Sequence, residues 1–164
     1  MNTSASTPSF LSGFSQIAYV TNDTDRALQV VADKFGIRQF DVKRGLHFDA
    51  NTTMDLALAY VGPVMIEIIC ARGSGETLYE VGLPTDRFAL QFHHVGHVVE
   101  ALEEWRALRE RVAAGWLPVA IANDDPDGDY PFMYLDARAE LGHYLEFSLL
   151  NAKRRAMYAQ IPRN

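Results

Sequence analysis

Apolar and polar residues change period along this chain in an order that occurs twice. Residues 14–20 are rich in β-branched and aromatic side chains and read as a strand, and Thr21-Asn22-Asp23-Thr24 can end that strand and cap a helix. Ala27, Leu28, Val31, Ala32 and Phe35 then fall on one helical face, and Gly36 stands where a left-handed residue stops a helix. Residues 38–43, 55–61 and, beyond the Gly62-Pro63 turn, 64–70 read as three strands. The order returns with a strand at 92–99 and a helix whose stripe is Ala101, Trp105, Leu108 and Val112, ending near Gly115. Residues 118–122, 131–136 and 144–150 supply three more strands. Two copies of a β-α-β-β-β unit account for this pattern, which makes the chain an α+β protein.

The units divide the chain into an N-terminal arm (1–13), a domain (14–150) and a C-terminal tail (151–164). Within the domain, module 1 covers 14–71, a linker 72–90 and module 2 91–150. The linker carries Gly73, Gly75, Gly82 and Pro84, with a short helical stretch expected at 76–80. Gly73-Ser74-Gly75 lacks the spacing of a phosphate loop and reads as a connector. The Ser/Thr-rich arm has no basic residue and no apolar run of signal-peptide length, and no stretch is long enough to span a bilayer, so a cytoplasmic protein is expected.

Composition narrows the function classes. With 164 residues, 48% hydrophobic and 22% charged, the chain can bury a core without disulfides or structural zinc. The lone Cys70 excludes an internal disulfide and any Cys-rich metal site. A net charge of −6 repels a phosphate backbone, which argues against nucleic-acid binding. The one basic cluster, Lys153-Arg154-Arg155, reads as a solvated helix end.

Four strands hold a polar residue where an apolar one would be the easy choice: Gln16, Glu67, His94 and Glu146. Gln16 and Glu67 are 51 residues apart, His94 and Glu146 are 52 apart, and the two pairs are offset by 78 and 79. Each residue therefore occupies the first or last strand of its unit, as duplication with a retained site would produce. An ionised carboxylate such as Glu67, set among apolar neighbours, is costly to bury unless a partner compensates it. None of the four strands offers Lys or Arg, whereas one divalent cation would answer both glutamates at once. Two carboxylates, an amide oxygen and an imidazole can hold such an ion and leave positions open for water or substrate, an arrangement suited to catalysis.

Other candidates carry less. In a regular strand His93 and His97 share a face with Val95 and point away from His94. His47 lies in a loop and His143 has no spacing support. Residues 123–128 imitate the start of a calcium loop, but the twelfth position is Tyr134 where a glutamate is required, so a solvated loop is expected.

With these residues in place the sequence resembles the vicinal oxygen chelate superfamily of glyoxalases, bleomycin-resistance proteins and extradiol dioxygenases. The resemblance covers residues 14–150 and rests on the four strand positions, on FHHVGHVVEALEEWRAL as the opening of a second module, and on YLDARAELGHYLEF as its close. It implies two tandem βαβββ modules forming a half-open β-barrel, with a divalent metal ion (Zn, Ni, Co, Mn, Fe or Mg) in its mouth. Gln16, Glu67, His94 and Glu146 look like the Gln/Glu/His/Glu set of some glyoxalases I; methylmalonyl-CoA epimerases of similar fold carry His/Gln/His/Glu. Gln16 stands where a dioxygenase has a histidine, which counts against oxygen chemistry. The first helix lacks the Phe-Tyr and Leu-Gly pairs of glyoxalase I, and no glutathione-binding arginines can be assigned. A homodimer is expected on the resemblance alone.

The ion and its ligands imply an isomerase, epimerase or lyase that acts through a metal-stabilised enolate of a small carbonyl or hydroxy compound. Glu146 is the first choice for the catalytic base and Glu67 the second. Met65, Ile69, Tyr144 and Ser148 share the ligand faces, with Tyr134 on the adjacent strand, and these five are the expected substrate-binding residues, suited to a hydrophobic portion. The alternative is a metal-free protein that sequesters a small hydrophobic compound, as bleomycin-resistance proteins do.

Overall fold

The computed structural model describes residues 11–73 and 77–164. The elements run β1 (Phe14–Thr21), α1 (Thr24–Phe35), β2 (Asp41–His47), β3 (Thr52–Val61), β4 (Val64–Gly73), β5 (Leu90–Val99), α2 (Leu102–Ala113), β6 (Val119–Asn123), β7 (Phe132–Ala137), α3 (Arg138–Leu141), β8 (His143–Leu149) and α4 (Ala152–Tyr158). All eight strands form one curled sheet in the order β2-β3-β4-β1-β5-β8-β7-β6. In each half the first and last strands pair in parallel, β1 with β4 and β5 with β8, and the halves meet where β1 and β5 pair antiparallel. This is the expected half-barrel of two βαβββ units.

The local signals explain the elements. The Asp23 side chain accepts a hydrogen bond from the Arg26 N–H and caps α1, and Gly36 ends the helix at φ 73°. Ala27 and Val31 of α1 bury against Ala57 and Ile68, and Trp105 and Leu108 of α2 bury against Leu135, Leu145 and Phe147. Both helices thus cover the convex face of the sheet. Strand alternation sends Gln16, Glu67 and Glu146 to the opposite, concave face. Phe35 departs from the expected helical stripe: it sits on the last turn of α1 and is 69% exposed.

Other boundaries also differ from expectation. β2 begins at Asp41 instead of residue 38 and extends through His47, which lies in a strand instead of a loop, because residues 41–47 are the stretch that pairs with β3. A short helical turn, α3, separates β7 from β8 within what reads as a plain hairpin. The short helix expected from residue 76 begins outside the described residues, and residues 78–82 form turns.

The C-terminal segment crosses to the first module. Ile161 is buried with Leu58 and Met65, the Tyr60 N–H donates to the Pro162 carbonyl, and the Asn164 amide oxygen accepts from the N–H groups of Arg38 and Gln39. Arg154 corrects the solvated reading of the basic cluster: it is 7% exposed, bonds the Pro131 carbonyl and Tyr158 hydroxyl, and lies over the Tyr130 and Tyr158 rings. Among the described residues, no helix is long and apolar enough to cross a membrane.

Candidate metal centre

The four strands flanking the junction of the halves, β4-β1-β5-β8, deliver Glu67, Gln16, His94 and Glu146 to the concave face. Register accounts for the meeting: Ala18 pairs with Glu67 on one side of β1 and with His94 on the other, and Gly96 of β5 pairs with both Gln16 and Glu146. The carboxylate oxygens Oε2 of Glu67 and of Glu146 each lie 3.2 Å from His94 Nε2. The Gln16 Nε2 amide donates to Glu67 Oε2 at 2.6 Å and to Glu146 Oε2 at 3.2 Å, and lies 3.1 Å from His94 Nε2. Gly96 makes room for Gln16: a Cβ added there would stand 2.8 Å from Gln16 Cβ.

All four residues are at least nine-tenths buried, and His94 is inaccessible. Among the described residues, no Lys or Arg forms an ion pair with either glutamate. Burial pushes the Glu67 carboxyl above its usual range. Burial has the same sense at Glu146, but His94, the Arg154 charge and the Ser148 hydroxyl outweigh it and hold that carboxyl low. Desolvation disfavours a His94 cation, yet the contacts with Glu146 and Glu67 prevail and lift the imidazole to about 9. Without an ion, a shared proton therefore does the neutralising.

The donor set fits a divalent cation. One nitrogen of His94 and one oxygen of each glutamate lie within 4.8 Å of one another, and Gln16 can present its amide oxygen by turning the group over. These are the oxygen and imidazole donors that suit Mg, Mn, Fe, Co, Ni and Zn.

Two of the five expected substrate-binding residues touch this cluster. Ser148 donates from its hydroxyl to Glu146 Oε1 at 3.1 Å, and Tyr134 lies with its hydroxyl 3.4 Å from His94 Nε2. Burial holds the Tyr134 phenol well above its usual range, so it stays protonated. Ile69 and Tyr144 line the concave side together with Val20, Met54 and Ala71, whereas Met65 packs toward Leu58 and Ile161. Tyr79, from the linker, closes over them: it is 3% exposed, edge-on to Phe48 and Tyr134 and 5.3 Å from the His93 ring. Neither Tyr79 nor Phe48 carries a spacing signal, since each comes from a connection outside the repeated strands. A cleft of about 910 Å³ lies between the linker and the ends of β1 and β4, and no member of the cluster lines it.

His93 corrects a strand-parity expectation. The β1–β5 register passes from Ala18 opposite His94 to Tyr19 opposite Phe92, so His93 is the extra residue of a β-bulge. The bulge turns His93 toward the same side as His94, and their Nδ1 atoms lie 2.9 Å apart. His97 keeps to the convex side, stacked on Phe147. His143 edges against the exposed Phe92, away from the cluster. Residues 123–128 run from the end of β6 into a loop, where the Asp124 carboxylate pairs with Arg109.

No family model and no curated protein matches the chain. Solved structures do match. A methylmalonyl-CoA epimerase from Mycobacterium tuberculosis superposes with a TM-score of 0.61 over 92% of this chain and 95% of that one, at 14% identity. A methylmalonyl-CoA epimerase in complex with methylmalonyl-CoA gives 0.56 over 85% and 94%, at 10% identity. A Streptomyces coelicolor epimerase variant in complex with 2-nitronate-propionyl-CoA gives 0.55 over 83% and 95%, at 11% identity. At these identities the likeness is one of fold: this chain shares the architecture of the methylmalonyl-CoA epimerases.

Proposed function

We propose that this protein is a divalent-metal-dependent isomerase of the epimerase type, acting on a carbonyl compound that carries an acidic C–H beside the carbonyl. One observation carries the reading: Glu67 and Glu146 each set a carboxylate oxygen 3.2 Å from a single imidazole nitrogen, with an amide completing the set. Gln16, Glu67, His94 and Glu146 would hold the ion, which supplies Lewis-acid stabilisation of negative charge on the substrate oxygen.

The chain's own groups then move the proton. Glu146, whose Oε1 is held by the Ser148 hydroxyl, would take the proton from carbon, and a protonated Glu67, on the other flanking strand, would return one. Proton return from the opposite face inverts the carbon, which favours epimerisation over loss of a leaving group. Ile69, Tyr134 and Tyr144 would hold an apolar portion of the substrate and keep water away, while Met65 and Ile161 close the first-module end. Tyr79, packed edge-on to Tyr134 and against the His93 ring, would add to this apolar wall.

Methylmalonyl-CoA, bound by the structural neighbour, is the first substrate to try, followed by other 2-substituted thioesters and small carbonyl compounds. The test is deuterium incorporation at the carbon beside the carbonyl in D2O, with metal-loaded and chelator-treated protein. Exchange that vanishes with chelator and returns with metal supports the reading. Tight uptake of a small apolar compound by metal-free protein, without exchange in any of these substrates, would instead support the sequestering function.

A further inference from the structure

The bulge in β5 builds a chain of hydrogen bonds that ends on the imidazole of the cluster. His93 Nε2 lies 3.1 Å from the Leu78 carbonyl oxygen, and a carbonyl can only accept, so that nitrogen carries a hydrogen. In the neutral ring His93 Nδ1 is then bare. The hydrogen between the facing Nδ1 atoms, 2.9 Å apart, therefore belongs to His94. With the Nδ1 hydrogen committed to His93, His94 turns its Nε2 edge to Glu67, Glu146 and Gln16, where a cation would take the place of the Nε2 proton. Packing holds the His93 ring in place: it is 7% exposed, 4.9 Å from the Tyr144 ring and 5.3 Å from the Tyr79 ring.

We propose that His93 is a positioning residue that fixes the orientation and tautomer of His94 for metal ligation, with the Leu78 carbonyl of the linker as the anchor of the relay. Imidazole ligands commonly donate their second ring N–H to an acceptor that fixes the ring and raises its basicity, usually a carboxylate, backbone carbonyl or water. Here a neutral second imidazole takes that place. The inter-module linker thereby reaches the centre of the site through two rings: Leu78 holds His93, and the adjacent Tyr79 covers it. The inference rests on the reading that the cluster holds a metal ion, but the relay itself can be measured without one.

Two measurements separate these claims. In ¹⁵N-histidine-labelled, metal-free wild type, a low-field proton directly bonded to His94 Nδ1 and coupled across the hydrogen bond to His93 Nδ1 is expected; a proton bonded to His93 Nδ1 overturns the relay. For Co²⁺ uptake followed by visible absorption, His93→Phe fills the same aromatic space without an acceptor and is expected to weaken binding about 10–100-fold. His93→Gln, which retains an acceptor oxygen, should recover part of the loss. Equal Co²⁺ affinity in His93→Phe and wild type overturns the proposal. If His93→Phe fails to fold, the His93→Gln affinity and the wild-type spectrum decide. A wild type that shows the bridging proton but takes up no Co²⁺ removes the metal reading and the ligand role with it, while leaving the hydrogen-bond assignment standing.

Discussion

Glu67 and Glu146 lie on strands that do not touch, β4 and β8, yet each sets an oxygen 3.2 Å from the same nitrogen of His94. The internal symmetry of the fold produces this: each glutamate belongs to the closing strand of its half, and each closing strand flanks the opening strand of that half. Two buried acids are held together only if something positive lies between them. In the absence of an ion that something is the His94 proton, and a divalent cation would displace it.

Replacing either acid keeps its shape and removes its charge. Glu146→Gln should slow deuterium exchange into substrate by roughly 10²–10⁴-fold, the usual contribution of a positioned base. Exchange measured by mass spectrometry with divalent metal in excess, so that the weakened site of the variant is filled, checks this, and a wild-type rate would remove Glu146 from its assigned role.

Gly96 tests whether Gln16 belongs to the site. Gly96→Ala puts a methyl group 2.8 Å from Gln16 Cβ and 3.2 Å from its Cδ, so the amide must leave its position. Stability should fall by about 1–3 kcal/mol through overpacking. Metal affinity should fall with it, read by comparing Co²⁺ binding with wild type.

Asp55 offers a stability test away from the cluster. Its buried carboxylate accepts from the Thr24 hydroxyl, the Gly45 N–H and Arg72, joining α1, β2, β3 and β4. Burial opposes its charge, but these partners prevail and hold the carboxyl below its ordinary value of 3.8. A depressed folded-state value means that the stabilisation is full above the unfolded value and is lost as pH falls through the folded one. Asp55→Asn should therefore cost about 1.5–3 kcal/mol at neutral pH, the range for hydrogen bonds to a charged group. The difference from wild type should shrink below pH about 4, as denaturant unfolding across pH would show.

Ile161 tests the crossing of the C-terminal segment. It is 4% exposed and packs with Leu58 and Met65 behind the cluster. Ile161→Ala should destabilise by about 2–5 kcal/mol, the range for an aliphatic side chain truncated in a core, measured by chemical denaturation. A cost under about 0.5 kcal/mol, typical of surface positions, would show that the segment is not held there in solution.

Much of this arrangement is legible in the residues themselves. Alternation along β1, β4 and β8 sends Gln16, Glu67 and Glu146 to one face, and the repeat spacing pairs each with its counterpart, because both depend only on local geometry. The cap at Asp23 and the stop at Gly36 are legible for the same reason. What is hidden depends on partners distant in sequence. Strand parity sends His93 away from His94, and only the register against β1 shows the bulge that reverses it. Nothing around Tyr79 marks it as the cover of the site, since its position follows from how the linker folds back. Arg154 reads as a surface charge until Pro131, Tyr130 and Tyr158 are seen around it.

The central claim is that the four side chains hold one divalent ion, and elemental analysis of protein purified without chelator tests it most directly. The account predicts about one equivalent of divalent metal per chain, recovered on reconstitution after chelation and lost in Glu67→Gln and Glu146→Gln. Less than about a tenth of an equivalent, unchanged by reconstitution with Zn²⁺, Co²⁺, Ni²⁺, Mn²⁺, Fe²⁺ or Mg²⁺, would contradict it.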